Sequence, residues 1–356
     1  MDYKDLKALR KPISNQTDVA LKITKQLLES EFKDKNLIFS PLSIHIVLSL
    51  IAARTNNPQF LSFLKSKSID DLNSLAFNLI TSVLADSPSR GGPRLNATNG
   101  LWVDESIPLE DSYKQVVLDS YKAALNQVDF KTDPEQVRIQ VNSWVDKETR
   151  GLIPEILPPG SVGSGMCLIF ANALYFKATW DDDFFYEPPN SKDHKDCALE
   201  DFDNGTYADD PRYFSMLWLL PDARDGLPAL TERVCSESRF LDRHLNSFTT
   251  VRVKKFLIPK FKISSGFEAS GVLKKIGLGD GCDLMAIFHE SVIDVDENGT
   301  TAAAATCAET WDCDGDFSKP KEIDEFVADH PFMFLIRENR TRTVLFMGQV
   351  LNPLSG

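Results

Sequence analysis

Positive charge is scarce in this chain: 39 Lys and Arg stand against 52 Asp and Glu, a net charge of −13. No run of Lys or Arg interrupts that balance, so neither nucleic acid nor an anionic membrane surface is expected as a partner. Long apolar runs are missing as well. No window approaches a membrane span. The N-terminus, MDYKDLKALRKPISNQ, has no apolar core and reads as neither signal peptide nor anchor. A cytoplasmic or nucleocytoplasmic protein is expected, reaching the outside only by non-conventional release or after cell damage. The six cysteines (Cys167, Cys197, Cys235, Cys282, Cys307 and Cys313) are scattered, with no C-x-x-C and no His at ligand spacing. They read as free thiols of a reducing compartment rather than a disulfide frame or a zinc site.

Catalytic signatures are equally sparse. There is no G-x-S-x-G elbow. Gly160-Ser-Val-Gly-Ser-Gly165 lacks a Lys and leads into a strand pattern, which excludes a phosphate loop. Asp312-Cys-Asp-Gly-Asp316 superficially resembles a cation loop, but its Gly falls too early for an EF-hand. His45, His194, His244, His289 and His330 sit in no triad or ligand spacing. His330, beside an apolar strand pattern, reads as a satisfied core hydrogen bond rather than a catalytic group. No enzyme site, cofactor or metal is expected.

What is present is ordinary globular chain, 42% hydrophobic and 26% charged, long enough to bury a large core. Helical periodicity runs over 15–32. Asn36-Leu-Ile-Phe-Ser40-Pro41 then gives a short strand entering a capped helix over 41–53, apolar nearly all round. Helices are also predicted after Ser68, over 111–123, over 133–149, near 228–239 and over 267–276, the last stopped by Gly277. Strands are predicted over 97–103, 167–180, 213–220, 251–263 (broken at Pro259) and 288–296. An antiparallel pair is predicted over 331–336 and 343–350. The stretch 185–212, acidic and carrying Pro188-Pro189, reads as mostly irregular. Helices crowd the first half and strands the second, without β-α-β alternation. That is α+β, with large antiparallel sheets.

One stretch resists a simple assignment. Ile293-Asp-Val-Asp-Glu-Asn-Gly299 is a half-buried strand ending at a Gly turn, followed by small uncharged residues from Thr300 to Ala308. At period two, Thr300, Ala302, Ala304, Thr306, Ala308 and Thr310 form one face free of charge and bulk, which could slide between two strands. The same residues also suit a short Ala-rich helix.

Four motifs, in order, decide between them: Asn36 to Ile44 (NLIFSPLSI), Asn172 to Trp180 (NALYFKATW), Val295 to Ala305 (VDENGTTAAAA), and Phe326 to Phe332 (FVADHPF) with Leu345 to Pro353 (LFMGQVLNP). In order and spacing they resemble the serpins, and the flavour of FVADHPF and of Leu152 to Ser161 is similar to the plant cytosolic branch. The resemblance implies one serpin-like domain over 1–356, with three β-sheets, about eight or nine helices and an exposed reactive-centre loop over about 297–325. It implies a monomer that inhibits a serine (or papain-like cysteine) endopeptidase as a suicide substrate. It places Ser40, Ser43, Asn172 and His330 in a polar cluster beneath the point where the central sheet parts, and Trp180 at the end of the strand where insertion begins. Glu297, Gly299, Thr300, Ala302, Ala303, Ala304 and Ala305 match the hinge. The scissile bond falls at Cys313-Asp314 counting from Glu297, or at Phe317-Ser318 counting back from FVADHPF.

The chain is shorter than the family pattern between Phe184 and Tyr213 and again after Leu278. The first shortfall removes strands of the smaller sheets; the second is expected to remove a helix and strand flanking the central sheet. These losses favour an alternative, a non-inhibitory or degenerate serpin-derived protein.

Overall fold

The computed structural model describes residues 3–85, 94–178, 180–186, 197–202, 212–237, 240–244, 252–253, 255–278, 285–295, 322–323 and 325–355. Helix α1 (Tyr3–Glu29) starts well before the residue 15 expected and continues through Pro12. Its buried stripe of Ile13, Val19, Ala20, Ile23 and Leu27 holds the part from Ile13 onward against the body. Strand β1 (Leu37–Phe39) leads to Ser40, whose Oγ accepts the Ser43 N–H at 3.1 Å, and Pro41 opens α2 (Pro41–Thr55). Residues Pro41 to Ala52 of α2 are all buried, as an all-round apolar helix requires. Short α3 (Pro58–Phe63) precedes α4 (Ile69–Ser82), which Ser68 caps by accepting the Asp71 N–H at 3.1 Å.

Then follow β2 (Arg94–Asp104), α5 (Asp111–Asp119), β3 (Ala124–Val128), α6 (Pro134–Glu148) and β4 (Leu168–Lys177). Next are β5 (Trp180–Tyr186), β6 (Cys197–Phe202), β7 (Phe214–Leu219), α7 (Leu227–Ser236) and α8 (Phe240–His244). The chain continues through β8 (Arg252–Val253), β9 (Phe256–Leu257), β10 (Phe261–Glu268), α9 (Ser270–Lys275) and β11 (Met285–Val295). It closes with β12 (Glu322–Ile323), β13 (Phe326–Val327), β14 (Phe332–Glu338) and β15 (Thr343–Val350).

Strands β10-β11-β4-β2-β3 form a central five-stranded sheet, and β1-β15-β14-β7-β6-β5 a six-stranded one. Among the described residues the parallel ladders β12·β8 and β13·β9 make up the remaining strand pairing. The architecture is α+β. One face of the central sheet packs on the main core, which includes α2 and the six-stranded sheet. The other packs under α6, whose Val137, Val141 and Val145 meet Ile169, Ala171, Ala173 and Phe288. Among the described residues, no helix is long and apolar enough to cross a membrane.

Three expectations change. The helix over 111–123 stops at Asp119, and 124–128 becomes an edge strand parallel to β2. The stretch 185–212 is expected to be mostly irregular, yet Phe185 and Tyr186 of β5 pair antiparallel with Leu199 and Ala198 of β6, while 187–196 and 203–211 lie outside the described residues. Trp180, Phe184, Phe185 and Tyr186 are strong strand formers whose signal the acidic run Asp181–Asp183 obscured. Residues 267–268 finish β10, and the helix behind them starts only at Ser270 before Gly277, at φ +88°, stops it. On the flank of the central sheet β10 pairs with β11 over eight positions, from Glu268↔Phe288 to Phe261↔Val295, and 279–284 lie outside the described residues.

Candidate functional site

The site is a seam. Strands β4 and β11 lie side by side and parallel, Leu168 facing Met285 and Tyr175 facing Val292. Their outer neighbours are antiparallel: β10 to β11 and β2 to β4. The parallel ladder stops at Val292↔Tyr175, although β11 runs on to Val295 and β4 to Lys177. Among the described residues each strand end is then paired only on its outer side, so the seam opens at the end where the chain leaves β11.

Beneath the seam lies a buried hydrogen-bonded chain. Asn172 of β4 faces Asn99 of β2 on one side and His289 of β11 on the other. Asn172 Nδ2 donates to Asn99 Oδ1 at 2.7 Å and to Thr98 O at 3.4 Å. Asn172 Oδ1 lies 2.8 Å from His289 Nδ1. His289 Nε2 accepts the Ser40 backbone N–H at 3.0 Å and the Ser291 hydroxyl at 2.9 Å. A main-chain N–H can only donate, so Nε2 is the acceptor and the ring proton sits on Nδ1, aimed at Asn172. His289 is wholly buried, and burial pushes its pKa down to about 3. The ring is neutral, and both nitrogens are used.

Ser40 contributes in two ways. Its N–H reaches His289 while its hydroxyl caps α2, so the helix start and the seam share one residue. Ser43 donates its N–H to that cap, and its own hydroxyl is buried without a partner among the described residues. On the α6 side of the sheet, Glu290 accepts from Ser264 Oγ at 2.5 Å, and burial raises its pKa.

Ser40, Ser43 and Asn172 therefore share this region, and His330 does not. His330 lies in the loop before β14, with Nδ1 2.8 Å from Asp329 Oδ1 and Nε2 2.6 Å from Pro221 O. Asp329 also pairs with Arg224. The imidazole at the seam is His289. The signal for it was present in sequence: at period two His289 shares a phase with Ile293 and Val295, the buried face of β11. The family resemblance implies His330 in that place instead.

Trp180 also moves. Strand β4 ends at Lys177, and Trp180 opens β5, its backbone paired with Phe202. Of the hinge, Glu297, Gly299, Thr300 and Ala302 to Ala305 lie outside the described residues, as do Cys313, Asp314, Phe317 and Ser318. Among the described residues, no group of three His, Cys, Asp or Glu side chains could hold a metal ion.

Comparisons with known proteins meet this geometry. The family model described as "Serpin (serine protease inhibitor)" matches residues 14–195 and 206–353. The chain is 41% identical to Serpin-ZX of Arabidopsis thaliana over 391 aligned positions, covering 97% of this chain and 99% of that one. It is 39% identical to Serpin-ZXA of Oryza sativa subsp. japonica, covering 97% and 98%. Among solved structures, Arabidopsis AtSerpin1, in a conformation titled native stressed, superposes with a TM-score of 0.83 at 38% identity, covering 99% of each chain. Since 97% of 356 residues is about 345, about 46 of the 391 positions shared with Serpin-ZX have no residue here. The family match itself breaks between 195 and 206, within the first shortfall.

Proposed function

The chain belongs to the serpin family, a membership that supports a protease-inhibitor role in general, and from that premise we propose that it acts as a suicide substrate. A serine or papain-like cysteine endopeptidase attacks the loop after β11. Its nucleophile forms an acyl bond to the carbonyl carbon of the scissile residue, and the C-terminal fragment leaves as an amine carrying the proton. Before water cleaves the acyl bond, the freed loop folds back and enters the seam between β4 and β11.

The observation that carries this reading is the parallel seam. A segment leaving the end of β11 and folding back runs antiparallel to both β4 and β11. Insertion exchanges one parallel ladder for two antiparallel ones, the more stable pairing per residue. About 15 residues at ~3.3 Å each carry the tethered protease on the order of 50 Å. The small face from Thr300 to Thr310 passes between the strands without a charge or a bulky group to desolvate. The active form is thus held kinetically, with stored strain as its driving force. The scissile bond is Cys313-Asp314 or Phe317-Ser318. Asp312, Asp314 and Asp316 around it favour a protease with a basic cleft.

The test incubates the protein with chymotrypsin-like, trypsin-like and papain-like proteases and resolves the products on a denaturing gel. A covalent band larger than either partner is expected for at least one. Loop cleavage without such a band for any of them supports the second reading, a non-inhibitory serpin-derived protein. That reading is favoured by the roughly 46 absent positions.

A further inference from the structure

Away from the seam, α1 and the β14–β15 turn enclose a cleft of about 250 Å³ lined by Arg10, Lys11, Ile13, Ser14, Thr17, Thr341 and Arg342. No carboxylate lines it. In a chain of net charge −13, three cations among the lining residues of one cleft, none of them acidic, run against the composition. Among the described residues, the side chains of Arg10, Lys11 and Arg342 make no ion pair or hydrogen bond. Each therefore keeps its donors for something else.

The cleft is built rather than accidental. Arg10, Ser14 and Thr17 fall at i, i+4 and i+7 on α1 and share one helix face, which buried Ile13 fixes against the body. Across from them, the turn is held from below by Glu338, 1% exposed. Its carboxylate accepts the backbone N–H groups of Arg340 at 3.0 Å and Thr341 at 2.8 Å, and the Thr341 hydroxyl at 2.5 Å. That grip holds Arg342 at φ +68°, a left-handed conformation that a non-Gly residue adopts only when its surroundings impose it. The guanidinium is thereby presented from a rigid turn, half-buried, without a partner.

We infer that this cleft is an anion-binding site for a small phosphorylated ligand bearing at least two phosphoryl groups. Two guanidinium forks and an ammonium supply the charge and the bidentate donors that adjacent phosphoryl oxygens accept. The volume admits a compact oligophosphate and is too small for a bulky organic body. The inference goes beyond protease inhibition and does not depend on it.

The test is calorimetric titration of the intact protein with inorganic pyrophosphate and triphosphate, against sodium chloride at matched ionic strength. Saturable binding is expected, weakened at least about tenfold by Arg10→Gln and by Arg342→Asn, since Asn tolerates the left-handed backbone. Arg342→Lys, which keeps the charge and loses the fork, is expected to weaken it several-fold, and it serves if Arg342→Asn does not fold. Lys147→Gln, an exposed change on α6, is expected to leave binding unaltered. Three results overturn the inference: heats no larger than those of matched chloride, affinity unchanged in the Arg10 and Arg342 variants, or equal weakening by Lys147→Gln. Binding confined to long sulfated polysaccharide, with none to triphosphate, overturns it too.

Discussion

His289 Nδ1 lies 2.8 Å from Asn172 Oδ1, a side-chain hydrogen bond that crosses the seam between β4 and β11. On the β4 side Asn172 is tied to Asn99. On the β11 side His289 is tied to Ser40 and Ser291. Under the proposed mechanism a strand entering the seam would break the bond in the middle while leaving both flanks intact, which would make it the latch on insertion.

Replacing His289 with Ala leaves the buried Ser40 N–H and the Asn172 carbonyl without their partner and opens a cavity. A loss of about 2–4 kcal/mol in unfolding free energy is expected. His330→Ala, removing a bond to the Pro221 carbonyl at the edge of the body, is expected to cost about 1 kcal/mol. Urea unfolding of the two variants distinguishes them, and equal losses would remove His289 from the role given to it here.

The buried histidines also set the acid limb of stability. Folding holds His289 near pKa 3, well below the ordinary value of 6.5. Between those values the unfolded chain binds a proton that the native chain refuses, so stability falls as pH drops from 6.5 toward 3 and is flat above. His45, buried with both ring nitrogens unpartnered among the described residues, is pushed down to about 4 and adds to the same limb. Each contributes up to about 1.4 kcal/mol per pH unit. Unfolding free energies measured from pH 7.5 to 4.5 are expected to slope less in His289→Gln than in the parent; identical slopes contradict the assignment.

Gly348 of β15 faces Ile38 of β1 and Phe334 of β14. A Cβ there would lie 2.3 Å from the Leu37 carbonyl oxygen and 2.6 Å from a Phe334 ring carbon. The oxygen belongs to backbone and cannot swing away, so Gly348→Ala must displace β1 from the six-stranded sheet. A loss of about 3 kcal/mol or more is expected, read as a lower urea midpoint or as insoluble expression.

In the hinge, Ala304→Glu puts a carboxylate on the small face that the seam has to accept. Desolvating that charge between two strands slows insertion, so the acyl bond is hydrolysed first. The variant is expected to be cleaved at the parent rate with at least about tenfold less covalent complex; an undiminished yield of complex would mean that Ala304 does not enter the sheet.

Much of this was legible in sequence because local signals agreed with the fold. Ser40-Pro41 and Ser68 cap the helices they precede, and Leu168–Lys177 is the doubly covered strand its apolar run announced. The misses share a cause. The parallel pairing of β3 with β2 and the choice of His289 over His330 depend on which distant strand lies alongside, and no window of sequence carries that. Strands β5 and β6 were obscured because acidic residues dominate the local pattern, while β7, which pairs with β6, lies further along the chain. The unpartnered cations of the α1 cleft were equally invisible, since Arg10 and Arg342 are brought together only by the fold.

The seam is tested most directly by cutting the loop without trapping anything. A metalloprotease attacks with water and forms no acyl bond, so a cut within 300–318 frees the loop and leaves no tethered enzyme. If the freed segment enters between β4 and β11, the cut protein melts more than about 10 °C above the intact one, because a strand and two ladders have been added. A cut protein that melts at or below the temperature of the intact one contradicts insertion, and with it the proposed inhibitory mechanism.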